Sequence, residues 1–153
     1  MLGYLKDISL YLIISIIANL ISNLLGTDFL LNYLKNNLIT IQLTLMAINT
    51  ATCGLVVSKL QEIKERHDEA NIKPITKSLL DSLKEQIILI VLGVILVLFI
   101  ESKITEHLVY TKYVNFSLHT LLVAVFVNSI QILWDTGKSI FVMIDIMDEI
   151  KNK

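Results

Sequence analysis

The chain has 153 residues, of which 54% are hydrophobic and 18% are charged, and its net charge at pH 7 is −1. A typical soluble domain is about 45–50% apolar and about 25% charged, so this composition weighs against a disordered chain or a coiled coil. The near-neutral charge also weighs against a nucleic-acid partner. One cysteine, Cys53, excludes an internal disulfide framework and a multi-cysteine zinc site. The length favours a single domain, 1–153.

Four stretches without Asp, Glu, Lys or Arg lie along the chain, with 20, 23, 15 and 22 residues (8–27, 36–58, 86–100 and 113–134). A helix needs about 20 apolar residues to cross the hydrocarbon core of a bilayer, and three stretches reach that length. The third is short but the most apolar, and its charged flanks can snorkel to the interfaces. We therefore predict an all-α polytopic membrane protein with four transmembrane helices, at 8–27, 36–58, 86–102 and 113–134.

The basic residues of the connecting segments predict the orientation. The side that holds both termini and the middle segment carries ten Lys and Arg, whereas the other side carries three, Lys35, Lys103 and Lys112. Cytoplasmic loops are enriched in Lys and Arg, so both termini are expected in the cytoplasm. The composition is rich in Ile, Asn and Lys with a single arginine, which is compatible with an AT-rich bacterial source. The expected location is the bacterial inner membrane.

The second span carries a row of small residues with alternating spacings of four and three. This spacing places them on one helix face: Thr40, Thr44, Ala47, Ala51, Gly54 and Ser58. Small side chains allow the close backbone approach by which helices associate in lipid. The face predicts either packing against another helix of the same chain or a seam between copies of the chain.

Neutral polar residues form further stripes on the first, second and fourth spans: Ser15, Asn19, Gln42, Asn49, Asn128 and Gln131. An amide that faces lipid is costly, so these residues should face protein or water. They predict either hydrogen bonds between helices or the lining of a water-filled pore. The third span is apolar all round, which predicts contact with lipid over much of its surface.

Two charged segments are expected in the cytoplasm, a helical hairpin at 59–85 with a break before Pro74 and an amphipathic tail at 138–153. Either is a candidate docking surface for a cytoplasmic protein, and the tail has the alternative of a solvated surface helix. The charged residues singled out for docking are Glu62, Arg66, Lys73, Asp145, Asp148 and Glu149.

Catalytic and cofactor-binding signatures are missing from the sequence, including G-x-S-x-G, the Walker loop and H-E-x-x-H. No charged residue lies in the middle of a span, where proton pumps, ion-coupled transporters and voltage sensors carry one. His119 lies near the outer end of the fourth span, without the ligand spacing of a metal site. We therefore predict no enzymatic activity, no cofactor and no bound metal.

The architecture resembles the small four-span membrane components of bacterial anti-phage defence operons, with the membrane subunit of the Kiwa system as the nearest comparison. The likeness depends on the four uncharged stretches, the segment AINTATCGLVVSKLQEI and the charged hairpin from Lys59 to Glu85. It implies an oligomeric membrane sensor or effector with a cytoplasmic partner, and it transfers no functional residue. The expected function is a sensor or scaffold that recruits this partner, and the alternative is a holin-like pore that permeabilises the membrane.

Overall fold

In a computed structural model, the chain forms four α-helices: α1 (Leu2–Leu24), α2 (Phe29–Arg66), α3 (Lys73–Glu101) and α4 (Thr111–Lys151). The structure describes residues 2–66, 72–102 and 111–151, and it describes side chains within 8–65, 72–102 and 111–144. These ranges contain no strand, so the predicted all-α class is confirmed for the described part of the chain.

The helices form an up-and-down bundle in which α4 packs against the other three helices and α2 also packs against α3. Lys35, near the start of α2, makes a 2.7 Å ion pair with Glu101 at the end of α3. Asn19, late in α1, bonds to Thr120, early in α4. One end of the bundle therefore holds the α1–α2 turn, and we call it the turn end. The opposite end, where α2 and α4 finish and α3 begins, is called the hairpin end.

The turn between α1 and α2 is short and closed by backbone hydrogen bonds. The amide of Leu25 donates to Ile21 O at 2.9 Å and that of Thr27 donates to Ser22 O at 3.1 Å. Gly26 adopts a φ of 63°, a left-handed conformation that glycine reaches without a Cβ penalty. This turn brings α2 back antiparallel to α1.

Three helices contain stretches that are long and apolar enough to cross a membrane: Phe29–Glu65, Lys73–Glu101 and Thr111–Ile144. The described apolar part of α1, Ile8–Leu24, is shorter. The 38 residues of α2 and the 41 of α4 correspond to about 57 and about 62 Å of helix, whereas a hydrocarbon core is about 30 Å thick. Both helices are thus far longer than a membrane crossing requires.

The segment predicted as an amphipathic C-terminal tail, 138–153, continues α4 as far as Lys151. Its apolar face was expected to be solvated or to dock a partner. In the structure Met143 is buried and Ile140 packs beside it, both against α2 and α3 of the same chain. The helix continues through Gly137 because no proline follows Trp134 and the apolar residues keep a helical spacing.

Two apolar clusters fill the bundle. The turn-end cluster consists of Leu31, Leu34, Leu38, Leu89, Leu122, Val123, Val125 and Ile132. The hairpin-end cluster consists of Cys53, Val56, Leu60, Ile63, Leu79 and Met143. Large hydrophobic side chains are also widely exposed on the outer faces of α1 and α3. Together with buried polar groups, these exposed faces are typical of helices that contact lipid.

Candidate functional surfaces and the polar interior

Near the turn end, α1 turns its polar stripe towards α4. Ser15 is fully buried and donates to the carbonyl of Tyr11 one turn earlier, at 2.6 Å. The side-chain amide of Asn19 donates to Thr120 Oγ1 at 3.0 Å and to the carbonyl of Phe116 at 3.2 Å. These contacts satisfy the α1 stripe within the chain and hold α1 on α4.

Gln42 lies at the middle of the bundle and joins three helices. Its Nε2 donates to the carbonyl of Leu89 in α3 at 3.0 Å and to Ser129 Oγ in α4 at 3.1 Å. Its Oε1 lies against Gly93, where an added Cβ would come within 2.5 Å. Glycine at this position is therefore what allows the amide of Gln42 to reach α3.

A second polar group separates the two apolar clusters, and we call it the amide layer: Asn49, Ser82, Gln86 and Thr136. Asn49 Nδ2 donates to Gln86 Oε1 at 2.7 Å, with Ser82 Oγ at 3.4 Å. Ser82 and Thr136 hydroxyls share a hydrogen bond of 2.9 Å. The layer ties α2, α3 and α4 together by side chains alone.

Two buried amide atoms, Gln42 Oε1 and Gln86 Nε2, have no hydrogen-bond partner among the described residues. Both belong to side chains that use their other amide atom in an interhelical bond. The packing of the interior is therefore close enough to bury polar atoms at a cost in desolvation.

Two residues of the predicted polar lining lie elsewhere. Asn128 and Gln131 are only half-buried, and Gln131 donates to the exposed carboxylate of Asp135 at 3.2 Å. The interior positions of α4 are filled by Ser129 and Thr136 instead. Their signal in the sequence is a heptad-like row of α4 residues with spacings of three, four and seven: Leu122, Val125, Ser129, Ile132, Thr136 and Met143.

The small residues of α2 form one exposed face, which we call the small face: Thr40, Thr44, Ala47, Ala51, Gly54 and Ser58. At 100° per residue this row lies opposite the buried row that contains Leu38, Gln42 and Asn49. An added Cβ at Gly54 would meet nothing within 4 Å. The expectation that this face packs against another helix of the same chain is therefore wrong for the described residues.

The residues singled out for docking are only partly described. Glu62 is exposed and makes a 2.8 Å ion pair with Lys59 on the same helix. Lys73 is exposed at the first position of α3. The side chains of the other four lie outside the described residues: Arg66, Asp145, Asp148 and Glu149.

Within the described part of the chain, no group of three or more His, Cys, Asp or Glu could hold a metal ion. Comparisons of the chain with protein-family models, with curated proteins and with solved structures found no match.

Proposed function

We propose that the chain is an oligomeric membrane scaffold that crosses the bilayer four times and recruits a cytoplasmic protein at the hairpin end. Both termini lie in the cytoplasm of a bacterial cell in this proposal, following the distribution of Lys and Arg. The observation that carries it is the exposed small face of α2.

The small face differs from the other exposed surfaces of the bundle. The outer faces of α1 and α3 present large apolar side chains, such as Ile13, Ile17 and Ile95, which suit lipid. The small face presents nothing larger than threonine at six successive positions. Such a surface lets a second helix approach closely, and this contact stabilises helix pairs where lipid removes the hydrophobic drive. A second copy of the chain is the occupant we propose.

The hairpin end supports the recruiting part of the proposal. Here α2 and α4 extend beyond the uncharged stretches, and Lys59, Glu62 and Lys64 lie exposed on α2. Phe141 is 67% exposed and Leu80 53% exposed at the same end. Contiguous apolar surface rimmed by charged residues is typical of protein-binding sites, and in this proposal these two side chains belong to one.

The polar interior favours a scaffold over a pore. Asn19, Gln42 and Asn49 are bonded inside one chain and fill its core. They are therefore occupied as interhelical contacts rather than free to line a passage between copies. The resemblance to anti-phage membrane components adds a biological setting to the proposal, in which the recruited protein acts as the soluble effector.

The test is the mass of the full chain in nanodiscs, measured for Gly54→Leu and for the control Val91→Leu. Leu at 54 adds bulk to the small face, whereas Val91 is 53% exposed on α3. We expect the wild type and the control to be oligomeric, and Gly54→Leu to weaken association by about tenfold or more. Recruitment is measured on the same three proteins as capture of a cytoplasmic protein. We expect the wild type and the control to capture it.

Circular dichroism checks that Gly54→Leu keeps its helical content. A monomeric wild type, or an oligomer that Gly54→Leu leaves intact, would contradict the seam. Dye leakage from liposomes that contain the wild-type oligomer would support the pore instead.

A further inference from the structure

A cavity with charged, polar and apolar walls opens at the turn end of the bundle, between α1, the start of α2 and the start of α4. Its volume is about 480 Å³, and its walls include Asn23, Asp28, Lys112, Asn115 and His119. A smaller cavity of about 130 Å³ shares Asp28, Leu31 and His119 with it. The two cavities thus form one cleft with charged and apolar walls.

The cleft contains a carboxylate, Asp28, and an ammonium group, Lys112. Neither Asp28 nor Lys112 makes an ion pair within the described ranges, although Lys35 in the smaller cavity is held by Glu101 at 2.7 Å. A carboxylate and an ammonium group in one cavity match a ligand that itself carries both charges. A simple anion would meet the like charge of Asp28, and a simple cation would meet the like charge of Lys112.

The position of the cleft fits the boundary between lipid and water. Tyr113 lines it and is 73% exposed, and the rings of Phe29 and Tyr33 stack at 6.2 Å on the same end of the bundle. Aromatic residues of this kind mark membrane interfaces. Next to the cleft, α1 exposes Leu20 and Ile21, a surface suited to acyl chains.

We infer that this cleft binds the phosphoethanolamine headgroup of a phospholipid. The ammonium of the headgroup donates hydrogen bonds to the carboxylate of Asp28, and its phosphodiester pairs with Lys112. Asn23 and Asn115 offer amide groups to the remaining phosphate oxygens. A choline headgroup carries no N–H to donate, and a glycerol headgroup brings no cation to Asp28. The inference rests on the four-span placement of the proposed function.

The experiment titrates the purified full chain with single lipids and counts bound molecules by native mass spectrometry. Phosphatidylethanolamine is compared with phosphatidylglycerol and phosphatidylcholine of the same acyl chains. We expect the wild type to bind phosphatidylethanolamine about tenfold more tightly than either. Asp28→Asn should remove this preference, and Lys112→Met should weaken both phosphatidylethanolamine and phosphatidylglycerol. The control Glu62→Gln, at the opposite end, should keep the wild-type pattern.

Equal binding of the three lipids by the wild type would overturn the inference, and so would a preference that survives Asp28→Asn. Free phosphoethanolamine, added at the concentration of the lipid, distinguishes a membrane ligand from a soluble one. Failure to compete supports the lipid, and full displacement overturns it. The measurement uses neither oligomer mass nor partner capture, so lipid selectivity and the scaffold proposal fail separately.

Discussion

The two halves of the bundle both bury aliphatic side chains, and they differ more in what they expose. Towards the turn end, Asn19 and Gln42 lie inside while Ile17, Leu92 and Ile95 lie outside. Towards the hairpin end, Leu60 and other aliphatic side chains lie inside, and charged residues such as Lys59 lie outside beside exposed apolar ones such as Phe141. The same helices therefore pass from one pattern to the other.

The comparison teaches that the exterior, rather than the apolar core, distinguishes the two halves. Both halves have an aliphatic cluster of similar composition. In lipid, however, apolar side chains gain nothing by moving inside, and helices associate through packing and hydrogen bonds. In water the aliphatic cluster itself supplies the driving force. The amide layer lies between the two aliphatic clusters.

The largest expected effect comes from the same substitution made in each half. Leu60→Ala at the hairpin end should destabilise the fold by about 2–5 kcal/mol, because it removes buried methyl groups and leaves a cavity. Leu38→Ala at the turn end should cost less by about 2 kcal/mol, since transfer of leucine from lipid to the core contributes little. Both leucines are almost fully buried. Native-state hydrogen exchange in nanodiscs measures both free energies, and equal losses would break the comparison.

A smaller effect is expected from two matched glycine substitutions. One glycine lies against a neighbouring helix, and the other lies on an exposed face. Gly93→Ala places a Cβ within 2.5 Å of Gln42 Oε1 and should cost about 1–3 kcal/mol by displacing the buried amide. Within one chain, Gly54→Ala meets open space and should stabilise an isolated α2 by about 0.5–1 kcal/mol, because alanine is the better helix former. Unfolding in detergent followed by circular dichroism separates the two. Stabilisation by both variants would show that Gln42 has room to move.

Part of this arrangement could be predicted from the sequence, because a polar residue in an apolar helix is costly to expose to lipid and should face protein or water. Ser15, Asn19, Gln42 and Asn49 lie on stripes opposite large aliphatic residues, and the structure buries all four. On α4 the sequence predicts less clearly which residues face the interior, since Asn128 and Ser129 are adjacent in the chain and lie on neighbouring faces of the helix. Amides are the stronger hydrogen-bonding groups and favour Asn128 and Gln131, whereas the interior row of α4 holds the smaller hydroxyls of Ser129 and Thr136.

Other features depend on contacts that no single stretch of sequence contains. Gly93 interrupts an apolar helix, and its role is visible only when Gln42 of another helix lies against it. Gln86 has its partner, Asn49, 37 residues earlier in the chain. The spacing of the small face was plain, but its exposure is a property of the bundle, because it depends on which side of α2 the other helices cover.

The smallest effect is expected in the amide layer, from a double-mutant cycle on Asn49 and Gln86. Gln86→Leu removes the acceptor of Asn49 Nδ2 and leaves a buried amide poorly bonded, and Asn49→Leu does the converse. The double variant removes both polar groups, so its cost should be smaller than the sum of the two single costs. The coupling energy should be about 0.6 kcal/mol and at most about 1.7 kcal/mol, the range of interhelical hydrogen bonds in membranes. A coupling energy of zero would mean that water reaches the layer and competes for both amides, which would move the boundary between the two halves towards the turn end.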